Sequence, residues 1–317
     1  MTRVVAYGVI AACACGVVAA AAQEPVFRSA GEIVRVFVTA TDRDGRLVTD
    51  LTQSEFEVRD EGRAQPITVF DSSPKPIQLV VLLDVSGSMV GNLPLLRAAT
   101  EQLAGRLGPD DVARVGTFGK EVVLGPAFTR DRRELLAALP ESIDPEAPTP
   151  LWRAADQAMS AFEDNAERRR VVLVLSDGQD SGMTSFREKI VSPAEVIDRA
   201  RLDEVMIYAV GMRSRRPLSA NSGRIGIDAM RARLTEDLPD PGLARVAEES
   251  GGGYVEIRYG ENLADAFARV ADELHSQYLL GYVPPKRDGK VHKIDVRVSR
   301  DNVKPRGRKT YVAPRDK

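Results

Sequence analysis

The sequence predicts an α/β protein: a doubly wound, mostly parallel sheet with a smaller β-sandwich-like domain built from the N- and C-terminal flanks. Residues 77–83 and 171–175 are nearly continuous apolar runs that stop at Asp84 and at Ser176-Asp177. Strands without a polar face belong to sheets covered on both sides, as parallel sheets usually are. Around these runs lie segments with apolar residues at helical spacing, and such strand–helix alternation points to a doubly wound sheet. Outside residues 76–274 the pattern changes to alternation of apolar and polar residues, as antiparallel strands with one solvated face require.

In chain order, residues 33–39, 55–58 and 66–70 have strand period, separated by the turn signals Asp42-Arg43-Asp44-Gly45 and Asp60-Glu61-Gly62. Residues 51–56 read as a short helical turn or loop. In the central region, weaker apolar runs at 112–118, 205–210 and 253–257 supply further strands, and helical period covers 93–107, 151–162, 193–202, 242–250 and 263–274. Residues 277–282 and 290–298 return to strand period, with Asp288-Gly289 between them as a hairpin signal and 309–312 as a third short strand. Each flank is too short to bury a core alone. Residues 27–75 and 275–317 are therefore expected to pack together, with a domain at 76–274 inserted between them. Residues 212–240, which include Arg213, Arg215, Arg216 and Arg224, have no clear period and read as a long loop.

The first residues read as a targeting segment. Arg3 precedes an uncharged run at 4–18, and the small residues 19–22 end in an A-x-A pattern before Gln23, so residues 1–22 are expected to be a secretory signal removed after Ala22. A lipoprotein anchored at Cys13, within Ile10-Ala11-Ala12-Cys13, is the alternative. The run is short for a bilayer span, and no transmembrane segment is expected in the mature chain. Export to the periplasm, the outer surface or the medium follows. Both cysteines, Cys13 and Cys15, fall inside the signal, so the mature protein is expected to have no disulfide and to rely on packing for stability. The 44 Lys and Arg against 46 Asp and Glu leave a formal charge of −2, without the basic excess that nucleic-acid binding needs.

Asp84-Val85-Ser86-Gly87-Ser88 follows the most apolar run and precedes a helix. In open parallel sheets, ligands bind beyond the carboxyl ends of the strands. A turn there aims one carboxylate and two hydroxyls at a common point, with Gly87 permitting a tight bend. Oxygen-only donors suit a hard divalent cation. A helix cap and turn is the competing role for the same residue types.

With this motif the chain resembles the von Willebrand factor A family, whose metal-ion-dependent adhesion site has the pattern Asp-x-Ser-x-Ser, a distant Thr and a distant Asp. Asp84, Ser86 and Ser88 match the first part. Asp177, in Leu175-Ser176-Asp177-Gly178, falls at the distant Asp, and Thr149, in Ala147-Pro148-Thr149-Pro150, at the Thr. The resemblance spans roughly residues 77–274. It implies a metal site made of Asp84, Ser86, Ser88, Thr149 and Asp177 that takes magnesium first, or manganese or calcium. A protein partner's Asp or Glu carboxylate would complete the coordination. By the same resemblance Ser86, Ser88 and Thr149 bind directly, while Asp84 and Asp177 act partly through water. Family members commonly have Gly before the Thr; here Pro148 precedes it and Pro150 follows, which stiffens the loop and removes two backbone donors. A plain helix N-cap is the competing role for Thr149. The flanking strands, segment 42–62 and the run Gln277-Tyr278-Leu279-Leu280-Gly281-Tyr282-Val283-Pro284 are similar to a group of exported bacterial A-domain proteins.

The leading expectation is an extracytoplasmic, non-catalytic binding or adhesion module, not an enzyme. The alternatives are a metal-dependent hydrolase using the ion as a Lewis acid, and an architectural protein with an empty site. Against the hydrolase, there is no G-x-S-x-G elbow and no histidine near the motif. The only two histidines, His275 and His292, are expected at the surface. Trp152 is expected in the core, Asp180 as a solvated loop acid, and Asp110-Asp111 as a turn before a strand. Loops 90–93, 146–150 and 179–186, with the 212–240 excursion, are the candidates for partner contact.

Overall fold

The computed structural model describes residues 33–163, 167–181, 190–213, 238–258 and 261–315. The expected signal with its two cysteines, most of the 212–240 loop and residues 182–186 of one candidate contact loop lie outside the described residues.

The chain enters through four short strands, β1 (Val34–Thr41), β2 (Phe56–Asp60), β3 (Arg63–Gln65) and β4 (Val69–Asp71). It then forms β5 (Ile77–Asp84), β6 (Val112–Phe118), β7 (Val122–Leu124), β8 (Arg169–Ser176), β9 (Met206–Met212) and β10 (Tyr254–Ile257). These six make one sheet in the order β10-β9-β8-β5-β6-β7, parallel except for β7. The helices are α1 (Leu93–Ala104), α2 (Arg132–Ala137), α3 (Leu151–Met159), α4 (Pro193–Leu202), α5 (Gly242–Ser250) and α6 (Leu263–Leu274). Every residue of β5 is buried, because alternate side chains feed separate cores on the two faces. Leu79, Val81 and Leu83 pack with Leu96, Leu135 and Phe267 of α1, α2 and α6; Val80 and Leu82 pack with Ala155, Val196 and Val246 of α3, α4 and α5. Each such burial contributes roughly 1.5–3 kcal/mol before entropy is counted. No helix among the described residues is long and apolar enough to cross a membrane.

After α6 the chain returns to strands: β11 (Tyr278–Tyr282), β12 (Val291–Val298), β13 (Lys304–Arg306) and β14 (Thr310–Val312). Two four-stranded sheets result, β13-β1-β11-β4 and β14-β12-β2-β3, and each mixes strands from both flanks. Val36 lies opposite Leu280, and Val58 opposite Val296. Their inner faces share one core containing Val34, Val36, Val38, Val58, Tyr278, Leu280 and Ile294.

The Asp60-Glu61-Gly62 signal forms a tight hairpin between β2 and β3, with positive φ at Glu61 (49°) and Gly62 (79°) as a type I′ turn requires. Asp288-Gly289 does not form the expected hairpin. Gly289 adopts φ 71° and Asp288 Oδ1 accepts the Lys290 N–H at 3.0 Å, but β11 and β12 lie in different sheets. The turn residues reverse the chain locally, while β12 takes β2 and β14 as neighbours because its alternate residues belong to the sandwich core.

A polar joint ties this sandwich to the amino ends of the parallel strands. Glu273 of α6 accepts Thr39 Oγ1 from β1 at 2.9 Å, and also the Tyr208 hydroxyl of β9 and the Arg306 guanidinium of β13. Arg169, at the start of β8, donates to the Leu274 carbonyl at 2.7 Å and to the Gln277 side chain, and lies 4.5 Å over the Phe37 ring.

Neither histidine is a free surface residue. His292 is 4% exposed, with Nδ1 3.2 Å from Asp60 Oδ1 and Nε2 3.0 Å from Asp288 Oδ1. The buried Asp60 also accepts the Tyr282 and Tyr311 hydroxyls, at 3.0 and 2.6 Å, and so anchors four strands. His275 is half-buried at the end of α6, its Nε2 2.6 Å from Asp111 Oδ2. Asp111 is a buried clamp instead of a plain turn residue: it also accepts the Ile77 N–H at 3.0 Å and the Gly108 N–H at 2.6 Å. The hydrogen bond to Asp111 holds the His275 pKa above its ordinary value against the opposing effect of burial. Burial works against ionised Asp111, but the hydrogen bonds from His275, Gly108 and Ile77 prevail and its carboxyl sits below the usual range.

The raised His275 pKa contributes stability that is complete below about pH 6.5 and is lost as pH rises through the folded value; the lowered Asp111 pKa contributes stability present above about pH 3.9 and lost on acidification. His275→Gln is therefore expected to lower stability most near pH 5, by about 1–2 kcal/mol, and less at pH 9. Urea unfolding of both proteins across that range checks this; a difference that does not change with pH contradicts it.

Candidate metal centre

Asp84 closes β5 with no exposed surface. Its Oδ1 accepts the Ser86 N–H at 2.8 Å and its Oδ2 the Ser176 hydroxyl at 2.5 Å, with the Asp177 N–H also directed to the carboxyl group. Burial pushes the Asp84 pKa up, and these hydrogen bonds pull it back. Ser86 is 1% exposed and its Oγ lies 3.1 Å from Ser88 Oγ, which donates to Asp177 Oδ1 at 2.6 Å. Asp177, just past the end of β8, is also fully buried. These hydroxyls do not cap a helix. The short turn after Ser86 has no side-chain cap, and α1 begins only after Asn92.

Thr149 reaches the same cluster from the loop before α3. A Cβ built on Gly178 would stand 3.3 Å from Thr149 Oγ1 and 3.8 Å from Ser88 Oγ, so these two hydroxyls flank the small residue that follows Asp177. The two prolines do not carry Thr149 away. Its N–H donates to Ser181 Oγ at 3.1 Å, and its carbonyl accepts the Ser181 N–H at 2.9 Å. Pro150, not Thr149, occupies the N-cap of α3. The cap contact comes from Asp180, whose Oδ1 accepts the Trp152 N–H at 3.3 Å, so the expected solvated loop acid instead ties two loops together. Trp152 is 4% exposed and packs in the core.

Gly87 is required by close approach. Its N–H donates to the Ala147 carbonyl at 2.9 Å, and an added Cβ would fall 2.0 Å from the Pro145 carbonyl oxygen. The Asp84 loop and the Thr149 loop thereby touch through backbone. Asp240 secures the far side: it accepts the Asp180 N–H at 3.1 Å and the Gly242 N–H at 2.8 Å at the start of α5, and donates its own N–H to the Gly178 carbonyl at 3.2 Å. Sequence reasoning missed Ser176, Ser181 and Asp240. Ser176 alone carried a signal, as a polar residue beside Asp177 at the end of an apolar strand.

The model of the von Willebrand factor type A domain matches residues 78–229. The chain carries a von Willebrand factor type A domain. Solved structures similar to it include an aerotolerance-related membrane protein from Bacteroides fragilis, 17% identical with a TM-score of 0.46, the match covering 62% of this chain and 98% of that one. A von Willebrand factor type A protein from Catenulispora acidiphila is 12% identical with a TM-score of 0.48, over 92% of this chain and 77% of that one. Proximal thread matrix protein 1 from the mussel byssus, solved with a zinc-occupied MIDAS motif, is 16% identical with a TM-score of 0.48, over 68% and 49% of the two chains. A search among curated proteins returns no match to this chain.

In this A domain the five oxygen-bearing side chains form one cluster of two carboxylates and three hydroxyls. Among the described residues no group of three or more His, Cys, Asp or Glu side chains is arranged to hold a metal. The cluster differs in kind from such sites: hydroxyls supply most of its donors, and its composition fits a small hard cation that retains water.

Gly87→Ala is expected to destabilise the A domain by about 1–3 kcal/mol, since the new methyl group meets backbone that cannot rotate aside. Urea unfolding in the presence of chelator measures this without any contribution from metal. A variant as stable as the parent would show that the Pro145 loop yields freely.

Proposed function

We propose that this protein is an extracytoplasmic, non-catalytic binding module whose cluster of Asp84, Ser86, Ser88, Thr149 and Asp177 holds a divalent cation and receives a carboxylate from a protein partner. The observation that carries the reading is the convergence of these five side chains beyond the carboxyl ends of β5 and β8. The cation would lend its positive charge to the partner's carboxylate. Ser86, Ser88 and Thr149 would be its direct ligands, positioned through the Ser181 contact to Thr149 and the Gly87–Ala147 backbone contact, while Ser176 holds Asp84. Asp84 and Asp177 would balance its charge from buried positions, partly through water. Magnesium is the preferred ion, with manganese and calcium as alternatives. Von Willebrand factor A domains are mainly protein-interaction modules, which supports a binding role over hydrolysis. Both histidines are engaged elsewhere: His275 with Asp111 at the amino ends of the strands, His292 with Asp60 and Asp288 in the sandwich. Specificity would come from the rim, where Val90 and Leu95 are 51% and 45% exposed.

Titration calorimetry with magnesium and manganese is expected to give binding of about one ion per chain to the wild type, lost in Asp84→Asn and weakened about tenfold or more in Ser88→Ala. Unchanged binding in both variants would remove the proposal. Ser88 is partly exposed, so Ser88→Ala keeps the comparison valid should the buried Asp84 variant unfold. For export, the protein purified from an expressing bacterium should begin at Gln23; an intact N-terminus on a cytoplasmic product would contradict it.

A further inference from the structure

A cleft of about 750 Å³ lies at the amino ends of the parallel strands, between α4 and the sandwich. It is at the other end of β5 from Asp84, about 23 Å away at strand rise. Seven basic side chains line it against four acidic ones. Of the basic ones Lys75 pairs with Asp71, Arg201 with Asp198 at 2.6 Å and Arg308 with Glu204 at 3.1 Å. Of the acids Asp203 also pairs with Arg199, which lies outside the cleft, at 3.2 Å.

Three of the arginines, Arg35, Arg168 and Arg169, have no carboxylate partner among the described residues. Arg169 is 7% exposed, and its guanidinium hydrogen-bonds only to neutral groups, the Leu274 carbonyl and the Gln277 side chain, with the Phe37 ring beside it. Its Nε makes no hydrogen bond among the described residues. Burial pushes its pKa down to about 10, against the opposing influence of Tyr208, Asp111 and Glu273 nearby. Arg168, next along the chain, spends Nε on the Asp110 carbonyl at 2.9 Å. Arg35 is exposed on β1, on the strand face it shares with Phe37 and Thr39, opposite to the face that Val34, Val36 and Val38 turn to the sandwich core. Apolar side chains complete the walls: Phe37, Leu279, Met206 and Leu202 line it, and Leu202 is 66% exposed although it ends a packed helix.

We propose that this cleft binds a small organic anion, its acid group held by Arg35 and Arg168 beside the buried charge of Arg169 and its apolar body resting on Phe37, Leu202 and Leu279. A volume of this size suits a small molecule. Acid groups of the carboxylate, sulfonate or phosphate type match the planar donor fork of arginine. The site is independent of the metal cluster, which lies at the opposite ends of the strands.

The probe is 1-anilinonaphthalene-8-sulfonate, an apolar ring system carrying one acid group, compared with its uncharged counterpart N-phenyl-1-naphthylamine. The folded full chain is expected to bind the sulfonate at about one site, with enhanced fluorescence, and to bind the neutral compound about tenfold more weakly or worse. Arg35→Glu combined with Arg168→Glu should weaken sulfonate binding about tenfold or more, with the magnesium titration unchanged. The single variant Arg35→Gln, whose side chain is exposed, should weaken it about threefold and serves if the double variant does not fold. Absence of sulfonate binding to the native protein, equal binding of the neutral compound, or binding indifferent to Arg35 would each overturn the proposal.

Discussion

Strand β5 turns every one of its side chains into a core, and it ends on a carboxylate that water does not reach. A buried carboxylate is tolerated only where polar partners surround it. Ser86, Ser176 and the Asp177 backbone meet that demand, and meeting it draws the β5 and β8 loops together. The remaining contacts extend the same arrangement: Ser88 to Asp177, Thr149 beside Gly178, and Gly87 against the Thr149 loop. The convergence of hydroxyls and carboxylates is thus a consequence of how the centre of the sheet is packed. Small residues sit where loops approach most closely, which explains Gly87 and Gly178.

The sandwich is attached at the opposite pole. The chain passes from β4 into β5 and from α6 into β11 at the amino ends of the parallel strands, where Glu273 and Arg169 join the two parts. This attachment leaves the carboxyl ends of β5 and β8 uncovered by the sandwich. A partner approaching the Asp84 cluster and a small anion entering the arginine-lined cleft would therefore use different ends of one rigid sheet.

Three kinds of misreading trace to contacts distant in sequence. Asp288-Gly289 carries the composition of a hairpin, yet β11 and β12 part into separate sheets because each finds its neighbours in the other flank. His275, His292 and Asp111 look like ordinary polar residues, but the contacts that bury them include His275–Asp111 and His292–Asp60, across 164 and 232 positions. Asp180 looks like a loop acid because the helix residue whose N–H it accepts, Trp152, lies 28 positions earlier. No local pattern reports such pairings.

By itself the sequence determined the alternation of fully apolar strands with amphipathic helices, because burial on one face or on two is written in residue period. Helices α4, α5 and α6 carry the boundaries their periodicity indicates, and Asp84, Ser86 and Ser88 announce themselves because one turn holds them. Only the tertiary structure decided that Thr149 and Asp177 meet that turn, that Ser176, Ser181 and Asp240 hold them there, and that two flanks more than two hundred residues apart share one core. The physical reason is the same in each case: these positions are set by hydrogen bonds and packing between segments whose separation along the chain leaves no periodic trace.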